Sequence, residues 1–241
     1  MKIDVFFTPL GPREGELADR AVVVIDVLRA TSTIVAALAN GAKAVVPAST
    51  SEEAVKMTAN LERNGYLLAG ERRAVKIEGF QLGNSPLEMT PEVVAGKTLF
   101  LATTNGTPAL VAAQGGNPVL VAAAVNFTAA AERARAAFLD KGELVVICAG
   151  RERQFALEDA YAAGRMVKLV RRGQRKAQLN DAARVALSLT EQYGDWDEAF
   201  KDSAAARQLI ELDFRDDVAF CATPDRFGVV PTYVDRRVSV P

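Results

Sequence analysis

The chain has 241 residues, 49% of them hydrophobic and 24% charged, a balance that supports a substantial buried core and excludes disordered and fibrous classes. Its formal net charge is -1, so no global positive field draws in nucleic acid or an anionic membrane surface. It contains no histidine, which removes Ser-His-Asp triads, Cys-His dyads, phosphohistidine chemistry and most zinc sites.

The opening "MKIDVFFTPLG" meets an acid and then Pro-Leu-Gly before a long apolar core forms, so no signal peptide is expected. No apolar run reaches the roughly 18 residues of a membrane span. Short, apolar, mostly β-branched runs then recur at 22–25, 44–46, 66–68, 98–102, 119–122 and 144–148, the pattern of strands buried on both faces. Helical patterns lie between them over 33–40, 51–64, 107–114 and 128–140. Thr50 with Glu53 reads as a capping box, and Gly41, Gly65 and Gly115 read as helix stops. Laying Thr33 over Thr107 also aligns Gly41 with Gly115, a weak internal echo within 22–122. Downstream, "LEDAYAAGRMVKLVRR", "QLNDAARVALSLTEQY" and "SAAARQLIELDF" are helical, and the tail "DVAFCATPDRFGVVPTYVDRRV" reads as two further strands around a Pro-Asp turn. Alternating strands and helices predict an α/β fold with a largely parallel sheet, and the lack of a linker predicts one domain over 1–241. Cys148 and Cys221 stand in unrelated contexts, so a disulfide framework is not expected and a reducing cytoplasm is.

In a parallel sheet the loops leaving the C-terminal strand ends share one edge, where ligands bind. Four such loops are unusually polar. They are Asp26 to Thr33, "AGERR" with Gly70, Glu71 and Arg72, "ATTNGT" with Thr103, Thr104, Asn105, Gly106 and Thr107, and "CAGRERQFALED" with Cys148, Gly150, Arg151, Glu158 and Asp159. Helix starts at 31–33 and 107 suggest anion binding, and Arg29 and Arg151 add forked donors for phosphoryl or carboxylate oxygens. Asp26, Glu71, Glu158 and Asp159 are hard oxygen donors suited to Mg²⁺. Each residue also has a plainer role: Thr33 and Thr107 as N-caps, Asp26 as a strand-end acceptor, Glu158 and Asp159 as a solvated helix face, Cys148 as an inert buried thiol. Familiar phosphatase and nucleotide signatures fail: Gln154 occupies the arginine position of a Cys-x5-Arg loop, Leu28 interrupts Asp-x-Asp, and neither a P-loop nor Gly-x-Gly-x-x-Gly is present.

"VVVIDVLRATSTIVAALANGA", "LLAGERR", "GFQLGNSPLEM", "LATTNGTPAL", "VVICAGRERQFALEDAYAAG" and "DVAFCATPDRFGVVP" together resemble, in order, the motifs of the 2-phosphosulfolactate phosphatase family. The resemblance spans essentially the whole chain. It implies a three-layer α/β/α fold, with the helical segment before the last strands, and a Mg²⁺-dependent phosphatase releasing phosphate from 2-phospho-3-sulfolactate, a step toward coenzyme M. The chemistry of the residues assigns the roles within it. Arg29, Thr31, Ser32 and Thr33 would grip an anionic group, and Asp26 would be a metal ligand or a nucleophile. Asn84, Ser85, Thr104, Asn105, Gly106, Thr107, Cys148 and Gly150 would line the pocket. Glu71, Glu158 and Asp159 would be further metal ligands, and Arg151 would meet the substrate's second anionic end. The expected partner is therefore a small anionic phosphorylated substrate, with a two-fold homodimer as the default assembly. A non-catalytic phosphometabolite-binding protein and an isomerase or transferase use similar pieces.

Overall fold

The computed structural model describes residues 1–13, 15–62 and 64–241. In chain order the elements are β1 (Lys2–Phe6), β2 (Ala21–Ile25), α1 (Ala30–Ala39), β3 (Ala44–Ala48), α2 (Ser51–Thr58), β4 (Tyr66–Arg72), β5 (Val75–Lys76), α3 (Pro91–Val94), β6 (Thr98–Ala102), α4 (Gly106–Ala112) and β7 (Val119–Ala122). There follow α5 (Phe127–Lys141), β8 (Glu143–Cys148), α6 (Leu157–Val170), β9 (Gln178–Leu179), α7 (Asp181–Gln192), α8 (Trp196–Lys201), α9 (Ala204–Glu211), α10 (Arg215–Ala222), β10 (Thr232–Val234) and β11 (Arg237–Ser239). The strands form one 11-stranded sheet in the order β5-β4-β6-β3-β11-β10-β7-β2-β8-β1-β9. Helices on its two faces make the three-layer α/β/α arrangement.

Every residue of β2 is buried, and the two-residue pleat sorts its side chains between the faces. Val23 and Ile25 join Val146, Tyr161, Met166 and Phe138 in one core. Val22 and Val24 join Val145, Ile34, Leu101 and Leu110 in the other. The parallel pairs β4 with β6 and β6 with β3 make one block, and β7, β2, β8 and β1 make another. The antiparallel hairpin β10–β11 joins them, β10 pairing with β7 and β11 with β3. These three successive antiparallel pairings make the two parallel blocks run in opposite directions, so the sheet has no single C-terminal edge of the kind the strand reading expected; the loops after β2, β4, β6 and β8 nonetheless line one cavity.

Three local expectations change. The helix predicted over 51–64 stops at Thr58, whose hydroxyl turns back to the Val55 carbonyl at 3.0 Å, a side-chain bond that competes with helix continuation; Arg63 of that range lies outside the described residues. Thr50 accepts the Glu53 amide at 3.1 Å as expected, while the Glu53 carboxylate accepts the amide of Ser49 at 2.7 Å rather than that of Thr50. In the tail, the first predicted strand is helix α10. Val218, Cys221 and Ala222 recur at helical spacing on its buried face, and Asp216 and Asp217 favour its first turn. The hairpin turn is Asp235-Arg236, with φ of 49° and 60°, the two left-handed residues of a type I′ turn.

Candidate active site

Helix α1 begins at Ala30, so Thr31, Ser32 and Thr33 fall inside its first turn and are almost wholly buried. Thr31 Oγ1 donates to the Asp26 carbonyl at 2.8 Å and accepts the Asp26 amide at 3.0 Å. Ser32 Oγ donates to the Val27 carbonyl at 2.8 Å, and Thr33 Oγ1 to the Asn84 carbonyl at 2.9 Å. A strand that turns into a helix inside the protein leaves backbone carbonyls without water, and these hydroxyls satisfy them. The expected anion grip on the three hydroxyls gives way to this closure of the turn. The amides of Thr31 and Ala30 are likewise committed, to the Asp26 carbonyl at 2.9 Å and to Asp26 Oδ1 at 3.3 Å.

That closure holds Asp26 at the end of β2, facing a cavity where the loops of the two blocks meet. Asp26, Arg29, Glu71, Asn84, Thr104, Asn105, Gly150, Arg151, Glu158 and Asp159 all line it. Ten of the residues singled out from the sequence thus meet in one place. Ser85, Gly106, Thr107 and Cys148 stand behind the wall. Thr107 exchanges hydrogen bonds with Thr103, Oγ1 accepting the Thr103 amide at 3.2 Å and the Thr107 amide donating to Thr103 Oγ1 at 3.0 Å. Cys148 Sγ donates to the Asp159 carbonyl at 3.5 Å; burial, with the charges of Asp159 and Glu158, holds its thiol well above the ordinary value. It is an inert packing residue.

The acidic members differ in what they already bind. Glu71 accepts the Ala74 amide at 2.7 Å, the Thr104 amide at 2.6 Å and Thr104 Oγ1 at 3.1 Å. Asp159 accepts the Val27 amide at 2.9 Å and the Gly150 amide at 3.1 Å, one on each oxygen. Burial pushes the Asp159 carboxyl well above its ordinary value, with the charges of Asp26 and Glu158 adding to the effect. Burial also raises Glu158, against the Ser203 hydroxyl and the Arg151 charge. Asp26 is raised to about 7 by burial first, then by Glu71 and Glu158, against the Ala30 amide and the Arg29 charge. Far from a solvated helix face, Glu158 and Asp159 are 4% and 2% exposed, part of a set of like charges gathered in a poorly hydrated wall.

The basic side is arranged differently from the sequence expectation. Arg29 is 3% exposed and is tied away from the cavity centre: Nη1 donates to Asp217 Oδ2 at 2.6 Å, Nη2 to the Ala74 carbonyl at 3.1 Å, and the guanidinium lies 4.2 Å from the centre of the Phe214 ring. Asp217 also accepts Ser85 Oγ at 2.8 Å on its other oxygen. Sequence reasoning missed Asp217, because nothing marks a residue on a distant helix as the partner of Arg29. It also selected Arg72 where Arg73 lines the cavity; β4 ends at Arg72, and the left-handed turn that follows sets the position of Arg73. Gln208, whose Oε1 accepts Arg151 Nη2 at 2.9 Å, is the other polar side chain added from the helical segment.

A model of the 2-phosphosulpholactate phosphatase family matches residues 6–236. The chain belongs to this family. A probable 2-phosphosulfolactate phosphatase of Thermotoga petrophila is 42% identical over 234 residues, covering 97% of this chain and 96% of that protein. The protein of the same description from Caldanaerobacter subterraneus subsp. tengcongensis is 40% identical over 221 residues, covering 90% and 89%; that of Symbiobacterium thermophilum is 38% identical over 228, covering 94% and 97%. As a member of the 2-phosphosulfolactate phosphatase family, the chain is a phosphoric monoester hydrolase. No helix among the described residues is long and apolar enough to cross a membrane.

Membership in a phosphatase family makes the fit to a metal worth testing on the donor set. Among the described residues, no group of three or more His, Cys, Asp or Glu side chains is arranged to hold a metal ion. The four carboxylates therefore do not form a complete cage, and the occupied oxygens of Glu71 and Asp159 give the reason. Mg²⁺ does not need one, since it binds through one or two carboxylates with water and substrate oxygens completing its shell. Asp26 and Glu158, with fewer protein partners and with their charged forms penalised by burial and crowding, fit that role.

Gly106 explains itself beside Asp26. A Cβ there would stand 2.3 Å from Ala30 Cβ and 2.6 Å from Asp26 Oδ2, so only glycine lets α4 approach the carboxylate. Gly106→Ala is expected to displace Asp26 and lower kcat/KM by about tenfold or more, while circular dichroism remains that of the folded protein. Unchanged kinetics would show that this contact does not hold Asp26 in its working position.

Proposed function

We propose that the chain hydrolyses 2-phospho-3-sulfolactate to sulfolactate and phosphate with Mg²⁺ as cofactor, a step toward coenzyme M. The family and its relatives' names support the substrate. The observation that carries the metal is the ring of buried carboxylates about Asp26, whose mutual repulsion a bound cation would relieve. Asp26 and Glu158 would hold the ion. Bound there, Mg²⁺ would screen the phosphoryl oxygens and lower the pKa of a coordinated water.

The remaining work falls to the chain itself. Glu71 holds the Thr104 amide and hydroxyl in place on the cavity wall, and Asn105 Oδ1 accepts the Glu152 amide at 3.0 Å, joining the third polar loop to the fourth. Asn84 reaches the cavity with its Oδ1 buried and without a hydrogen-bond partner among the described residues, an acceptor open to a donor that enters the cavity. Turnover requires the ionised Asp26 carboxylate, whether it anchors the ion or attacks phosphorus as the nucleophile.

Phosphate release from 2-phospho-3-sulfolactate and from 2-phospholactate, measured with Mg²⁺ and then with EDTA, tests this reading. Release that Mg²⁺ supports and EDTA stops is expected. Release undiminished by EDTA would remove the metal from the mechanism. Substrate converted without free phosphate would make the chain an isomerase or transferase, and thermal stabilisation without conversion would make it a binding protein.

A further inference from the structure

Three arginines line the cavity, and they are not equivalent. Arg29 is neutralised by Asp217 and stacked on Phe214. Among the described residues the Arg151 guanidinium hydrogen-bonds to a neutral partner, Gln208, and makes no salt bridge, although its charge acts on Glu158. The Arg73 guanidinium makes no ion pair with another described residue. Among the described residues the cavity therefore presents two guanidinium groups that no salt bridge occupies.

Both are delivered by tight turns. Arg73 and Ala74 are the two-residue tip of the β4–β5 hairpin, with φ of 51° and 69°. Glu152 and Arg153 form a similar tip between Arg151 and Gln154, with φ of 51° and 64° and paired backbone bonds of 3.0 and 2.9 Å. Left-handed conformations are unfavourable for non-glycine residues and persist where surrounding contacts hold them. At the first tip those contacts are plain: the Ala74 amide donates to Glu71 Oε2 at 2.7 Å, its carbonyl accepts from Arg29 at 3.1 Å, and its side chain packs on the cluster of Ala206, Leu209 and Val218. The backbone beneath Arg73 is fixed across the cavity while its side chain stays exposed at the rim.

The phosphoryl group, if it meets the ion, sits by Asp26 and Glu158 at the acidic end. A substrate that also carries carbon-borne anions needs cations elsewhere, and unmatched anions beside Glu71 and Glu152 would be repelled. We propose that Arg73 and Arg151 form a subsite for the second anionic group, a carboxylate or sulfonate, and so restrict the enzyme to phosphomonoesters that bear one. The planar guanidinium fork suits either oxyanion. Arg73 is the specificity-determining residue that the sequence pattern left unassigned. This inference rests on the phosphatase reading for its substrate but not for its test.

Calorimetric binding of 3-sulfolactate, which carries both anions and no phosphate, separates the two. Wild-type protein is expected to bind it and Arg73→Ala to bind it at least tenfold more weakly, with Arg73→Lys recovering part of the loss. In turnover, Arg73→Ala is expected to raise KM for 2-phospho-3-sulfolactate at least tenfold with kcat within about threefold. Its kcat/KM for p-nitrophenyl phosphate, which has no second anion, should stay within about twofold. Equal binding of 3-sulfolactate by both proteins, no binding by either, or a parallel loss on both phosphate esters would overturn the subsite. Failure of the wild type to release phosphate would instead overturn the phosphatase reading, leaving the binding result to decide on Arg73.

Discussion

Asp26→Asn should lower kcat by about 10³-fold or more and at the same time make the metal-free protein more stable at pH 8. The two effects have one cause. Asp26 is raised from an ordinary 3.8 to about 7, chiefly by burial, so the folded protein holds this proton more tightly than the unfolded chain does. The resulting stability is fully present below about pH 4, falls as pH rises from 4 to 7, and is absent above 7. At pH 8 the wild-type protein must bury an uncompensated carboxylate, whereas asparagine buries no charge and can still accept the Ala30 amide. The gain should be on the order of a few kcal/mol, shrinking as the pH is lowered. Thermal unfolding in EDTA from pH 4 to 8 measures it. Added Mg²⁺ should then raise the wild-type Tm and leave that of Asp26→Asn nearly unchanged. Near-normal kcat would show that Asp26 is not the working carboxylate, and a variant less stable than wild type at pH 8 would show that it is not a strained one.

Positions of this kind were legible in the sequence because strand ends are. The run 22–25 can only be a doubly buried strand, and an acid directly after it must stand at the sheet edge where ligands collect. What the sequence hides is direction. The hydroxyls of Thr31, Ser32 and Thr33 point to backbone carbonyls because α1 starts three residues earlier than its apolar pattern suggests. Strand β1 escaped notice because its run "KIDVF" carries Asp4, an acid only 2% exposed that is paired at 2.7 Å with both Lys2 and Arg20. A buried charge interrupts the apolar signal, and one of its two partners, Arg20, lies outside the local window. Arg73 is placed by the left-handed turn after β4, which the apolar pattern of the strand does not mark. Asp217 was out of reach, lying 188 residues from Arg29 in the chain.

Asp217→Ala should therefore be costly in a way that no local feature of α10 foretells. It leaves the Arg29 guanidinium, whose side chain is 2% exposed, without its anion, and a buried charge deprived of its partner destabilises by about 3–5 kcal/mol. It also frees Ser85 Oγ, which accepts the Leu87 amide at 3.2 Å and starts the turn Pro86–Glu88. Urea unfolding should report this as a large fall in midpoint with little change in slope. Arg29→Ala should also destabilise, through loss of the Phe214 contact and of the bond to Ala74, but Arg29→Ala/Asp217→Ala should cost less than the sum of the single changes by about 2 kcal/mol, because no orphan charge remains. The same pair ties α10 to the hairpin tip that carries Arg73, so both single variants should raise KM for a doubly anionic substrate more than they lower kcat. Strict additivity in the cycle would mean that water already screens the pair. The hairpin would then be held by its apolar contact with Leu209 and Val218, and the KM of Asp217→Ala would be the measurement left unchanged.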